Sequence, residues 1–124
     1  MTYRNSGFTL IELVVALVII GLLAAIAAPQ FTDFRSTASG VALEDAGAKV
    51  ESVSRMNMAK HQLSGDGHTT VGLSCDDFVA WAFNGESPDG VSAQAETIGP
   101  DDTLCVLEHA DYQGTIEALV HAVP

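Results

Sequence analysis

Residues 13–32 run for 20 positions without a charge, and the residue just before them is a glutamate, Glu12. In a helix rising about 1.5 Å per residue, such a run spans about 30 Å, the thickness of a bilayer's hydrocarbon core. The chain therefore meets a membrane at least once. A carboxylate drawn to the middle of that core costs about 2.5–3.5 kcal/mol on insertion scales. Glu12 thus needs a reason to stand beside the run, and a plain membrane anchor supplies none.

Beyond the run the chain changes character. The 124 residues suffice for one domain. Five basic side chains face sixteen acids, and the imbalance is concentrated: from residue 64 onward there are eleven Asp and Glu and no Lys or Arg. A surface of that sign repels nucleic acid and anionic lipid headgroups, which excludes both as partners of this part of the chain. The two cysteines, Cys75 and Cys105, also lie here. If the apolar segment carries this part out of the cytoplasm, the compartment is oxidising and the pair is expected to be bridged. The alternative is two unrelated buried thiols. No Cys/His spacing suggests zinc.

Three readings compete for residues 1–29. A secretory signal peptide would use "MTYRN" as its basic end and the small residues Ala25 and Ala27 near its cleavage site. Against it stand a single basic side chain, Arg4, the charge of Glu12, and an apolar run longer than the 7–15 residues usual for such a segment. It would leave a secreted acidic binding domain starting near Ala28. A simple transmembrane anchor leaves Glu12 unexplained. The third reading rests on the motif "GFTLIELVV", which resembles the N-terminal processing site of type IV prepilins and of type II secretion pseudopilins.

That resemblance implies a leader of residues 1–7, removed by a prepilin peptidase that cuts after Gly7 and methylates the new N-terminus at Phe8. Residues 8–30 become the membrane-spanning and assembly helix, and residues 31–124 the periplasmic or extracellular head. Gly21 and Pro29 fall where such helices usually carry glycine and proline. The single basic residue of the leader departs from the two or more often found there. The resemblance also gives Glu12 its purpose. In an assembled filament Glu12 of one subunit would meet the Phe8 ammonium of a neighbour, because an unpaired carboxylate in a packed apolar core is very costly.

Past Pro29 the helical pattern continues, and one long helix over residues 8–62 is expected. Phe31, Phe34, Ala38 and Val41 form one apolar phase. Leu43, Ala46, Val50, Val53 and Met56 form a second, as if the helix changed partners along its length. Pro29 removes a backbone hydrogen bond and should kink or loosen it. Gly40 and Gly47, like Gly21, would permit close approach of another helix. The four cations after the leader, Arg35, Lys49, Arg55 and Lys60, all lie on this spine, where they could face head acids of neighbouring subunits.

"SGDGH" at residues 64–68 ends the helix, and "TTVGL" reads as a short strand. "SCDDFVAWAFNG" reads as a short helix with Ser74 as its cap, Asp77 three residues on and Asn84-Gly85 at its stop. "VSAQAETI", "TLCVLEH" and "TIEALVHAV" read as three strands separated by "GPDD" and "ADYQG" turns. The expected fold class is therefore α+β: a long N-terminal helix against a small antiparallel sheet of about three strands, the pilin fold of the resemblance. A bridge between Cys75 and Cys105 would tie the short helix to the middle strand.

No nucleophile–base constellation, Gly-rich phosphate loop or metal-ligand spacing stands out. His61, His68, His109 and His121 are expected to be exposed, Asp76-Asp77 to sit at a helix start, and Asp101-Asp102 to sit in a turn. Calcium in a head loop is the one metal the resemblance leaves open, but the EF-hand pattern is absent. The sequence thus points to a structural subunit, with no enzyme activity, cofactor or metal expected. Its partners would be the prepilin peptidase/methyltransferase, other pilin subunits, the inner membrane and the pilus or secretion assembly machinery. Before assembly it would be a single-pass protein of the bacterial inner membrane, and afterwards part of a pilus at the cell surface or of a periplasmic pseudopilus. A bridged pair late in the chain favours the pilus.

Overall fold

A computed structural model describes residues 7–124; residues 1–6 of the expected leader, with Arg4, lie outside it. The element order is α1 (Leu10–Ser64), α2 (Cys75–Ala82), β1 (Val91–Ala93), β2 (Thr103–His109) and β3 (Tyr112–Val120). The chain divides into two compact units between Arg35 and Ser36.

In the first unit the helix is assigned without interruption through Pro29. Its large apolar side chains are turned outward on every side, from Leu10 and Ile11 to Phe31 and Phe34. A helix apolar all round satisfies its backbone internally but finds no core of its own, and suits lipid or other helices. The Cβ position of Gly21 is open, so the close approach it permits is not used within this unit.

The second unit is a small head built on the rest of α1. The buried seam of α1 is Ser39, Leu43, Ala46, Val50, Ser54 and Asn57, each three or four residues from the last. The apolar pattern foresaw the first half only. Met56 is 68% exposed and Val53 only partly buried, because the seam continues through two polar residues instead. Both are satisfied. Ser54 Oγ accepts from the His121 amide at 2.7 Å, and the Asn57 carboxamide pairs with both backbone groups of His68, at 2.6 and 2.7 Å. Val41 lies outside the seam and is exposed, as the separate first phase requires.

The sheet has the order β1–β2–β3 and is antiparallel throughout, a meander. Alternate residues Cys105, Leu107, Ala118 and Val120 face the core, where Phe78 and Val79 of α2 and Leu43 and Val50 of α1 meet them. The edge strand β3 lies along α1, with Gly40 against the Tyr112 ring and Gly47 against Ile116. A Cβ on Gly47 would sit 2.8 Å from Ile116 Cγ2, so the missing side chain is what lets the strand approach. These glycines admit a strand, where the sequence suggested a helix. The same edge offers the Leu119 amide to Glu51 and the His121 amide to Ser54, so α1 covers the end of a sheet edge that could otherwise pair with another chain.

α2 begins as expected: Ser74 Oγ accepts from the Asp77 amide at 3.1 Å and donates to its carboxylate at 2.8 Å. It ends through Asn84 and Gly85, both in the left-handed region, with the Gly85 amide returning to Ala80. Cys75, its first residue, is bonded to Cys105 in β2, with a Cα–Cα distance of 5.6 Å.

Three strand expectations need correction. "TTVGL" is a loop whose Thr70 and Val71 amides bond to the Val123 carbonyl while Gly72 and Leu73 exchange bonds with Ile98, so its backbone is shared between two segments instead of forming one ladder. "VSAQAETI" is a strand only over Val91–Ala93, with an isolated bridge from Thr97 to Ser74. "ADYQG" contributes only Ala110 and Asp111 to the turn, and β3 starts at Tyr112.

His68 is exposed, as expected, whereas His61, His109 and His121 are partly buried. His121 Nδ1 lies 2.8 Å from Asp102 Oδ2, and Asp102 Oδ1 accepts from the Ala122 amide at 3.1 Å. Asp102 is thus a latch for the last residues as well as part of a turn. The Ala122 amide first, then the His121 ring, hold its carboxyl below the usual carboxylate range. A group whose pKa is depressed by folding adds stability that is present above its unfolded pKa and lost as pH falls through the folded one. Thermal unfolding followed below about pH 4 should therefore show an acid-induced loss that Asp102→Asn flattens. An unchanged acid limb in that variant would show that the latch does not contribute.

Candidate functional site

The segment that sequence and fold single out is the start of α1. Gly7 precedes the helix, exposed, with open space where a Cβ would stand. Phe8 is 87% exposed. Thr9 caps the helix: its Oγ1 accepts from the Glu12 amide at 3.4 Å, and its carbonyl from the Leu13 amide at 3.2 Å. Glu12 then stands in the first turn, where a carboxylate is favoured by the helix dipole. Thr9 followed three residues later by Glu12 is the spacing of a capping box, a local signal that the sequence reading passed over.

Glu12 therefore has a modest local role, but the cap does not neutralise it. Among the described residues its carboxylate has no ion-pair partner. Behind it α1 is long and apolar enough to cross a membrane, and none of its most apolar stretch is buried within the chain. An exposed apolar helix with one negative charge at its head can insert into lipid or pack with its own kind. In the second case the charge has to meet a cation.

The other residues singled out by sequence fall elsewhere. Pro29 lies within α1, where it leaves the Ala25 carbonyl without its usual helical donor. Cys75 and Cys105 meet in the core of the head, both fully buried. Two of the spine cations have partners within the chain: Arg55 bonds Glu51 at 2.7 Å, and the Lys49 ammonium lies 4.1 Å from the centre of the Phe83 ring. His68 stacks on Trp81 at 4.4 Å, a contact that no spacing in the sequence announces. Among the described residues no group of three or more His, Cys, Asp or Glu side chains is placed to hold a metal ion.

Comparison with known proteins adds to this geometry. The family model described as the prokaryotic N-terminal methylation motif matches residues 2–28. The chain is 47% identical over 49 residues to the type IV narrow pilus major component PilA5 of Thermus thermophilus, covering 40% of this chain and 42% of that protein. It is 61% identical over 33 residues to the type IV major pilin protein PilA of Myxococcus xanthus, covering 27% and 15%. A probable minor fimbrial protein of Dichelobacter nodosus matches over 97 residues at 34% identity, covering 77% of this chain and 56% of that protein. The matches thus span between about a seventh and just over half of these relatives. No solved structure matches significantly. The chain carries the prokaryotic N-terminal methylation motif of prepilin type and has a pilin-like α+β architecture, a long helix with a small three-stranded antiparallel sheet.

Proposed function

We propose that this chain is the structural subunit of a type IV pilus-like filament. A prepilin peptidase removes residues 1–7 by cutting after Gly7, and Phe8 is N-methylated. Residues 8–30 hold the subunit in the inner membrane until it polymerises through this helix, and residues 31–124 form the head on the filament surface. The observation that carries the reading is the outward-turned apolar start of α1 with the single carboxylate of Glu12 in its first turn. Such a surface is stable in lipid before assembly and among like helices after it. The acidic heads repel one another when dispersed, over about 10 Å at 0.1 M salt, so packing of the helices has to hold them together.

The cut supplies what Glu12 lacks. An ammonium at Phe8 stands four residues before Glu12 on the same chain, and in a stagger of parallel helices it reaches Glu12 of a neighbour. That pair fixes the axial register. Mass spectrometry of the N-terminal peptide, in filaments sheared from the cell surface, tests the reading. A methylated peptide beginning at Phe8, abundant in the sheared fraction, is expected. The same peptide confined to the membrane fraction would instead indicate a type II secretion pseudopilin or a rare minor subunit. A chain beginning near Ala28 would overturn the filament reading.

A further inference from the structure

One side of the head carries a groove of about 630 Å³, with Val53, Met56 and Lys60 of α1 on one wall and His68 and Trp81 on the other. Lys49, Val53, Met56 and Lys60 follow at intervals of four, three and four residues, so they line one flank of the helix. Lysines stand at both ends of that row and apolar side chains between them, over about 16 Å at 1.5 Å per residue. Met56 is 68% exposed and Trp81 38% exposed, a concentration of apolar surface on an otherwise acidic head. Asp66 on the loop wall is the one acid among the groove's lining residues.

The sheet carries the converse pattern. Because side chains alternate along a strand, the row of β2 turned away from the core is Asp102, Leu104, Val106 and Glu108, counting the residue just before the strand. Its order is acid, apolar, apolar, acid, over about 20 Å at 3.3 Å per residue. Leu104 is 50% exposed. The two rows match in length to within the reach of a side chain, and they match in sign at both ends.

We propose that the groove of one subunit receives the outward row of β2 from a second copy of this chain. The inference rests on the filament reading above. Two charges are already engaged within the subunit, Lys49 over Phe83 and Asp102 with His121, which leaves Lys60 and Glu108 as the pair that forms across the contact. Pairing groove with groove would set Lys60 against Lys60, and pairing row with row would set Glu108 against Glu108. The contact is therefore heterologous, so its repetition gives a ring or, where the rotation does not close, an open chain, and not a two-fold dimer. Trp81 and Met56 supply the kind of anchor that dominates protein contacts, while the charge pair sets which surface is accepted.

The test is charge exchange in the full-length chain, made in cells that assemble the filament. Lys60→Glu and Glu108→Lys should each lower the yield of sheared filaments about tenfold, and the double exchange should return it to within about threefold of wild type. Met56→Lys, on an exposed side chain that leaves folding intact, should lower the yield with no rescue by Glu108→Lys. Wild-type yields from both single variants would overturn the proposal and leave the groove to some partner other than a second copy. A double exchange no better than the worse single would overturn it as well. The membrane fraction separates the two readings. A processed peptide beginning at Phe8 in every variant, with sheared filaments from the wild type, keeps the filament reading intact whatever the variants yield, whereas its absence from the wild type would overturn that reading and this contact with it.

Discussion

Glu12→Gln should abolish filaments while leaving the subunit processed and in the membrane. Gln serves the third position of a capping box about as well as Glu, so the local helix start is preserved. Only the charge is removed. In a packed apolar filament core, removing one partner of a buried pair costs about 3–5 kcal/mol, because the other charge is left without compensation. Spread over each subunit added, that corresponds to a factor of about 10² or more in the association constant. Sheared filaments should therefore fall below detection in Glu12→Gln, and likewise in Glu12→Val. The membrane-bound pool beginning at Phe8 should rise. Wild-type filament yield from Glu12→Gln would remove the charge pair from the account and leave Glu12 as a helix cap.

Replacing both cysteines by alanine should unfold the head at a much lower temperature. Cys75 and Cys105 are 30 residues apart in sequence and both fully buried. Closing such a loop removes unfolded-state entropy worth about 3–4 kcal/mol in the chain-entropy model. For a head of this size, 1 kcal/mol shifts the midpoint by about 4–8 °C, so a drop of about 15 °C or more is expected for the detergent-solubilised full chain. Circular dichroism of the head's sheet and of α2 would record it. An unchanged midpoint would mean that the core formed by Phe78, Val79, Leu107 and Val120 holds α2 to β2 without the bond.

These two residue sets were legible in the sequence because each is a departure from a strong background. A carboxylate beside an uncharged run of 20 residues is conspicuous, and so are two cysteines in a chain of 124. The long helix, the capped α2 and the three-strand meander were legible for a related reason, since caps and alternation are local. What was missed depends on contacts between distant residues. Apolar periodicity sent the seam of α1 toward Met56, but the structure takes it through Ser54 and Asn57, which become apolar enough only once His121 and His68 satisfy them. "TTVGL" has the composition of a strand, yet its Thr70 and Val71 amides find the carbonyl of Val123, more than fifty residues on, and its Gly72 amide that of Ile98. Asp102 looked like turn chemistry and is that, but its carboxylate also holds His121 and Ala122.

The way the last residues are held also dictates an order of events in time. Val123 is buried, its amide bonded to Thr70 Oγ1 and its carbonyl to the Thr70 and Val71 amides. The His121 amide closes on Ser54, 67 positions earlier. Non-local closures of this kind come late in folding, since loop entropy is lost before the contact forms. The head therefore cannot close until residues 121–123 have reached the same side as Thr70 and Ser54, however the apolar start of α1 is held. A chain stopped short of that point keeps the Ser54 hydroxyl and the Thr70 and Val71 amides without the partners they have in the finished head. Under the proposed filament reading, closure of the head thus acts as a timer, since a complete head follows only after its last strand and the residues beyond it have arrived.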